Sequence, residues 1–366
     1  MQFEPNNVSI SYGFVPPGTP AYPKPGIVYL DVGNGLGPGV LDHHQPDAPV
    51  SCACSLALRH REYVVSQIPK AGDPVVTLIT HLWPDLDAVS AIWIARGHLT
   101  SLPPMEYIQR WVEYVQTVDR GETILQPERP VTPYSVFMMR IHLAEQVTKG
   151  LSPEKASAVI LEMTLAFIDL VLSSLAMGRS LNDPGFFDGI LEVQNEIEAI
   201  YQDHARYESD MARIELFRVT LPRQDETGLL EVPGLWIYEP TASLFKSWAR
   251  GDRRRAGQAP GFVFTGVWVH ERRAIISVTP DSGVHLRGLG TLLEIREDGK
   301  RRDLGQPREG PPRPGYGTPD PWYDGRSPGH AYTIVDSPAQ GTVLSSKEVR
   351  ETFNDYLEAV INARVV

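Results

Sequence analysis

The sequence predicts an α/β fold: a mainly parallel sheet with flanking helices, followed by a smaller β-rich α+β C-terminal domain. Three observations predict it. Two short apolar, β-branched runs, "GIVYLDV" at 26–32 and "PVVTLIT" at 74–80, each lead through a polar loop into a helical pattern, the alternation that builds a parallel sheet. A block of helical periodicities at 104–118, 133–148, 152–178 and 187–212 has few breaks. Beyond about residue 213 the texture changes to short strand-like runs separated by turn signals.

Taken in order, residues 1–26 are rich in Pro, Gly, Asn and Tyr and read as an irregular arm. "GIVYLDV" is a buried strand, "GNGLGPG" a loop, and a helix runs from about Ser51 to Val65. "PVVTLIT" is a second strand and "DAVSAIWIARGHL" a second helix. In the later region "IELFRVTLP", "GLLEVPGLWIYE", "GFVFTGVWVHE", "RAIISVTP" and "GLGTLLEIRE" all read as strands. "RGDRRRAG" at 250–257 reads as a solvated charged turn, and 296–321 as a Pro- and charge-rich loop. "HAYTIVD" and an amphipathic helix near 345–363 end the chain. The division expected is 1–212, the α/β domain with its helical part, and 213–366, a β-rich substrate-recognition or cap domain.

The 366 residues allow two domains. A net charge of −11 argues against broad coating of nucleic acid, which needs many Lys and Arg contacts to phosphate. It leaves room for a metal-dependent phosphate site. Cys52 and Cys54 are too close in sequence for a good disulfide and read as reduced thiols at a helix start. The apolar run at 158–177 carries Glu162 and Asp169, so a buried helix is expected rather than a membrane span. The N-terminus lacks a basic-then-apolar signal pattern, and the expected location is the cytoplasm.

The chemistry gathers at the ends of the two strands. "HLWPDLD" supplies His81, Asp85 and Asp87 where a strand gives way to a helix, the usual ligand position in an open α/β sheet. Imidazole and carboxylate together suit a divalent ion such as Mn²⁺ or Fe²⁺. Helix capping is the competing reading for Asp85 or Asp87. "VLDHHQ" adds Asp42, His43 and His44, Asp31 ends the first strand, and Asp119 stands in "VQTVDRGE". Five acids and three histidines in one crevice would repel strongly unless cations neutralise them, which argues for a two-metal site.

These segments resemble the DHH phosphoesterase superfamily. His-x-x-x-Asp-x-Asp in "THLWPDLDAVSA" is similar to the first motif of its pyrophosphatases and nucleases. "DVGNGLGPGVLDHHQ" and "VQTVDRGE" look like elements of the DHH-related melanocyte-proliferating-gene family. The resemblance covers about 27–122, and the His-x-x-x-Asp-x-Asp segment, which precedes Asp-His-His in that group, follows it here. It implies His81 and Asp85 on one metal and Asp87, His43 and Asp119 on the other. Asp31 would bridge them, His44 would contact the scissile phosphate and Asp42 would orient the histidines. Two Mn²⁺ ions are implied, with Mg²⁺ as the substitute.

In the second half His285 and Arg287 lie in one Gly-rich turn and Arg326 and His330 in another. Arginine and neutral histidine suit phosphate, and such turns are reminiscent of a substrate loop in superfamily members. Pairing of Arg326 with Asp324 or Asp320 is the competing reading. Trp83 and Trp322 could stack on a base or fill a core. The expected function is a Mn²⁺-dependent phosphoesterase (a hydrolase of nuclease type) cleaving phosphodiesters in short nucleic acids or nucleotides with a two-metal-activated water. The alternative is an inactive DHH-like nucleotide-binding or sensor subunit. The expected partner is a phosphate-containing small molecule or short oligonucleotide, without a membrane, and self-association stays open.

Overall fold

The first sheet begins where the sequence showed only an arm. Strand β1 (Ser9–Val15) lies beside β5 (Val75–His81) in parallel register, Ser9 opposite Val75 and Val15 opposite His81. Its run "SISYGFV" does alternate, but the prolines and glycines just after it mask the period. β2 (Ile27–Leu30) pairs with the other side of β5, and β4 (Val40–Leu41) with β2, both in parallel. β3 (Leu36–Gly37) closes the edge antiparallel to β4, giving the order β1-β5-β2-β4-β3. The computed structural model describes residues 8–70, 73–102, 104–269, 272–310, 312 and 315–362. The first seven residues of the expected arm lie outside these, as do His270 and Glu271 at the end of an expected strand, 311, 313 and 314 in the expected loop and 363 at the expected end of the last helix.

The expected helix from Ser51 is two, α1 (Ala53–Arg59) and α2 (Arg61–Val65), divided at His60. α3 (Leu86–Leu99) buries every residue except Arg96, as a helix apolar on all sides must. α4 (Met105–Asp119), α5 (Pro133–Val147) and α6 (Pro153–Ala176) follow. Thr132 and Ser135 form a capping box at the start of α5, and Ser152 caps α6, each followed by proline at the first helical position. α6 is long and apolar enough to cross a membrane. Here it buries Ile160, Phe167, Ile168 and Val171, and its Asp169 accepts the indole N–H of Trp93 on α3 at 2.7 Å. Residues 187–193 are not part of the long helix expected there, which is α7 (Gln194–Met211).

A second five-stranded sheet has the order β10-β9-β8-β7-β6. It comprises β6 (Leu216–Pro222), β7 (Leu229–Tyr238), β8 (Phe264–Val269), β9 (Arg273–Val278) and β10 (Ile334–Asp336). Only β7 and β8 pair in parallel; the other neighbours are antiparallel. Four helices accompany it: α8 (Phe245–Gly251), α9 (Arg253–Ala256), α10 (Leu289–Leu304) and α11 (Ser346–Asn362). Three expectations fail here. "GLGTLLEIRE" opens α10 instead of forming a strand, and its buried Leu289, Leu293 and Glu297 recur every four residues. The expected loop from 296 is therefore helical as far as Leu304. "RGDRRRAG" is a short helix in place of a turn: Arg253 and Arg254 stay exposed, while Asp252 caps α9 by accepting the Arg255 amide and Arg255 pairs with Glu208 at 2.6 Å and Asp252 at 2.7 Å.

The fold is thus mixed α/β with two mixed sheets. One unit comprises 1–120 and 131–199, the other 121–130 and 200–366, so the break falls inside α7 and the short segment after Arg120 joins the second. The second unit has its own core, with Trp236, Phe264, Ile276, Leu293, Trp322 and Phe353.

Candidate metal centre

In the first unit the three parallel strands β5, β2 and β4 end side by side, and their register brings the acids and histidines together. Tyr29 lies opposite Ile79 and Leu30 opposite Leu41. Two residues beyond the first pair and one beyond the second, Asp31 falls between His81 and Asp42. His81 Nε2 is 3.2 Å from Asp31 Oδ2, and His43 Nε2 is 3.2 Å from Asp31 Oδ1. The chain leaves β2 under strain: Asp31 has φ 60°, a left-handed conformation uncommon outside glycine and asparagine. Trp83, just after β5, has φ 58°, and its amide donates to Ser157 on α6. Gly33 turns the loop back at φ 119°, where a Cβ would come within 2.9 Å of both Ala21 and Val40.

The remaining acids arrive on helices. Asp85 is the N-cap of α3 and accepts the Ala88 amide at 3.0 Å through Oδ1. Asp87, in the first turn of α3, reaches across to α1, whose own N-cap Cys52 makes no side-chain cap bond. Asp87 supplies the missing acceptors, taking the Ala53 amide at 2.6 Å and the Cys54 amide at 2.9 Å. Asp119 ends α4. Capping and ligand position are therefore compatible in both Asp85 and Asp87.

Two donor groups result. Atoms of Asp31, His81 and Asp85 lie within 4.8 Å of one another, and so do those of His43, Asp87 and Asp119. Asp31 also groups with His43 and His44, which joins the two sets. Ligand atoms at about 2.1 Å from a common ion stand about 3–4.3 Å apart, so small side-chain movements bring each set to bonding geometry. These groups could hold a metal ion. Exposure is graded: Asp31, His43 and Asp87 are buried, His81 and Asp119 half-buried, and Asp85 open to solvent.

Protons reveal the same demand for positive charge. His81 Nδ1 donates to the Leu82 carbonyl at 2.9 Å, which in a neutral ring leaves Nε2 as a bare acceptor facing the Asp31 carboxylate. Two acceptors in contact need a proton or a cation between them. Burial alone would lower the His81 pKa, but the bond to Asp31 and the charge of Asp85 carry it up to about 9. Burial likewise opposes the cation at His43, and Asp119, Asp31 and Asp87 together still hold its pKa well above the ordinary value. Burial and the neighbouring charges of Asp31 and Asp119 raise Asp87 to about 8. Asp119 rises to about 7 for the same first reason, with His43 opposing and Asp31 reinforcing the rise. Asp31 goes the other way: burial would raise it, yet the nearby imidazoles of His43 and His81 hold it far below the carboxylate range. Asp31 Oδ1 is buried and receives no aligned hydrogen bond. The donor set fits divalent cations standing where these protons stand.

Asp42 is not in either group. It holds His44, with Oδ1 2.7 Å from His44 Nδ1 and Oδ2 accepting the Asn34 amide at 2.7 Å. The His44 side chain keeps 30% exposure at the mouth of the crevice. Asn34 escaped the sequence reading because "GNG" reads only as a turn. Cys52 and Cys54, read as reduced thiols at a helix start, lie directly against Asp87.

The four substrate candidates are in the second unit. Arg326 donates from Nε to Asp324 at 2.7 Å and lies 4.0 Å over the Tyr316 ring, the local pairing that competed with phosphate binding. Arg287 donates to Glu226 at 2.7 Å and covers Tyr332. His285 is buried and accepts the Arg287 amide, while His330 meets the Tyr323 ring edge-on. Of the tryptophans, Trp322 is core and Trp83 is 46% exposed beside the crevice. No family model, curated protein or solved structure matches this chain, so the crevice itself carries the functional reading.

Proposed function

We propose that the chain is a divalent-metal-dependent phosphoesterase of the DHH type, using a pair of Mn²⁺ ions to hydrolyse phosphodiesters in short nucleic acids or nucleotides. The observation that supports it is the pair of donor groups, Asp31–His81–Asp85 and His43–Asp87–Asp119, joined through Asp31. Bound ions of this kind lower the pKa of a water molecule and absorb charge growing on phosphoryl oxygens. Asp31, His81 and Asp85 would hold one ion, His43, Asp87 and Asp119 the other, with Asp31 common to both.

The protein's own groups do the rest. Asp42 accepts the hydrogen bond from the Nδ1–H of His44 and orients the ring, which leaves an Nε2 proton to donate to a phosphoryl oxygen or the departing alkoxide. Trp83, exposed at the rim, offers an aromatic face to a base. Arg287 and Arg326 would have to exchange Glu226 and Asp324 for phosphate, so the first phosphate contact is assigned to His44.

Cleavage of bis(p-nitrophenyl) phosphate and a short RNA by the metal-stripped chain, with and without Mn²⁺, tests this reading. Mn²⁺-dependent turnover that falls about 10²-fold or more in Asp85→Asn is expected. Tight Mn²⁺ and nucleotide binding without turnover would instead support the inactive sensor, and absence of any divalent-metal binding would refute both.

A further inference from the structure

Both cysteines have zero exposure, and their Sγ atoms are 3.3 Å apart. Donor atoms of Cys52, Cys54 and Asp87 lie within 4.8 Å of one another. The cause is local. Cys52 stands at the N-cap of α1 without using its side chain as a cap, because Asp87 caps that helix from α3. The amide bonds from Ala53 and Cys54 pin the Asp87 carboxylate to the same turn that carries the thiols.

Two thiolates on one tetrahedral Zn²⁺, at about 2.3 Å each, stand about 3.75 Å apart. Opening the sulfur pair by a few tenths of an ångström reaches that spacing. Each carboxylate oxygen of Asp87 accepts one amide and retains a lone pair. Thiolate donors select Zn²⁺, Cd²⁺ and Co²⁺, whereas carboxylate and imidazole suit Mn²⁺.

We propose that Cys52, Cys54 and Asp87 form a separate site for one thiophilic divalent cation of the zinc class, which competes with the manganese centre through Asp87. The sulfur site stands on its own donors; the competition rests on reading Asp87 as a ligand of the harder pair. Binding exchanges the two thiol protons for the cation, with no change of oxidation state. The consequence is inhibition by zinc that strengthens as manganese is lowered, since each ion weakens the other through Asp87.

The test is a titration of the full, metal-free chain with Co²⁺ in the presence of a phosphine reductant. The expected result is a near-ultraviolet thiolate-to-cobalt charge-transfer band that saturates at one equivalent. It should vanish in Cys52→Ser and Cys54→Ser, and persist in Asp119→Asn, which keeps every sulfur-site donor. One equivalent of Zn²⁺ should abolish the band, and it should weaken Mn²⁺ binding more in the wild type than in the double cysteine variant, where it competes only at the imidazole and carboxylate donors. Cobalt bound with nitrogen and oxygen bands alone would overturn this site and leave the manganese reading standing. A charge-transfer band surviving in the double variant would overturn it too, and no cobalt binding at all would overturn both. The wild-type spectrum decides even where a cysteine variant fails to fold, and circular dichroism identifies such a variant.

Discussion

Asp85 has two roles that substitution can separate. Its Oδ1 caps α3 through the Ala88 amide, and the same carboxylate belongs to the Asp31–His81–Asp85 group. Asparagine caps as well as aspartate, whereas alanine does not. Asp85→Asn should therefore keep the metal-free stability of the wild type while weakening Mn²⁺ binding. Asp85→Ala should lose a further ~1 kcal/mol of stability in urea unfolding. Equal stability of the two variants would show that the cap contributes nothing. Among the eight acids and histidines singled out by residue type, all lie at one crevice, with Asp42 behind His44. That much was legible because aspartate and histidine are conspicuous at strand ends. Asn34 was not, since its contact with Asp42 is made by the backbone N–H, which leaves no mark in the residue type.

At the level of elements, Gly33 fixes the loop that carries the chain from Asp31 back to Asp42. Its φ of 119° and the absence of room for a Cβ make Gly33→Ala costly, about 1–3 kcal/mol. Thermal unfolding of the metal-free protein measures that loss, and weaker Mn²⁺ binding should accompany it because Asp31 and Asp42 flank the turn. The central strands β2 and β5 and helix α3 were readable as apolar runs bounded by turn signals, and α4 to α6 from helical patterns over longer windows. Two kinds of element were not. β1 alternates over only seven residues amid turn-forming neighbours, so its pairing with β5 is a tertiary fact. α10 opens with leucines at 292 and 293 that fit strand and helix alike, and packing of Leu289, Leu293 and Glu297 decides for helix. Arg326 shows the limit for polar side chains: its choice of Asp324 depends on a contact between residues two apart that charge alone only suggests.

For the molecule as a whole, the crevice links stability to pH with a definite sign. A raised folded-state pKa stabilises below the unfolded value, and that stabilisation disappears as pH rises through the folded value. His81 loses its contribution between 6.5 and about 9, and Asp87 and Asp119 lose theirs on approach to about 8 and about 7. Asp31 and Asp42, both depressed, act oppositely but in the acid range. The metal-free protein should thus become easier to unfold in urea from pH 6.5 to about 9. Saturating Mn²⁺ should reverse the trend, because its ligands bind as the deprotonated forms. A flat profile without metal would contradict the clustered charges. The strand order carries a practical lesson for anyone trimming this chain. β1 shields one flank of β5 along its whole length and ends level with His81. Deleting residues 1–26 as a dispensable tail would strip that strand, leave the β5 backbone as a raw, sticky edge, and release His81 from its footing. Such a shortened protein should aggregate on concentration, as light scattering would detect, and bind Mn²⁺ poorly even though every proposed metal ligand is still present.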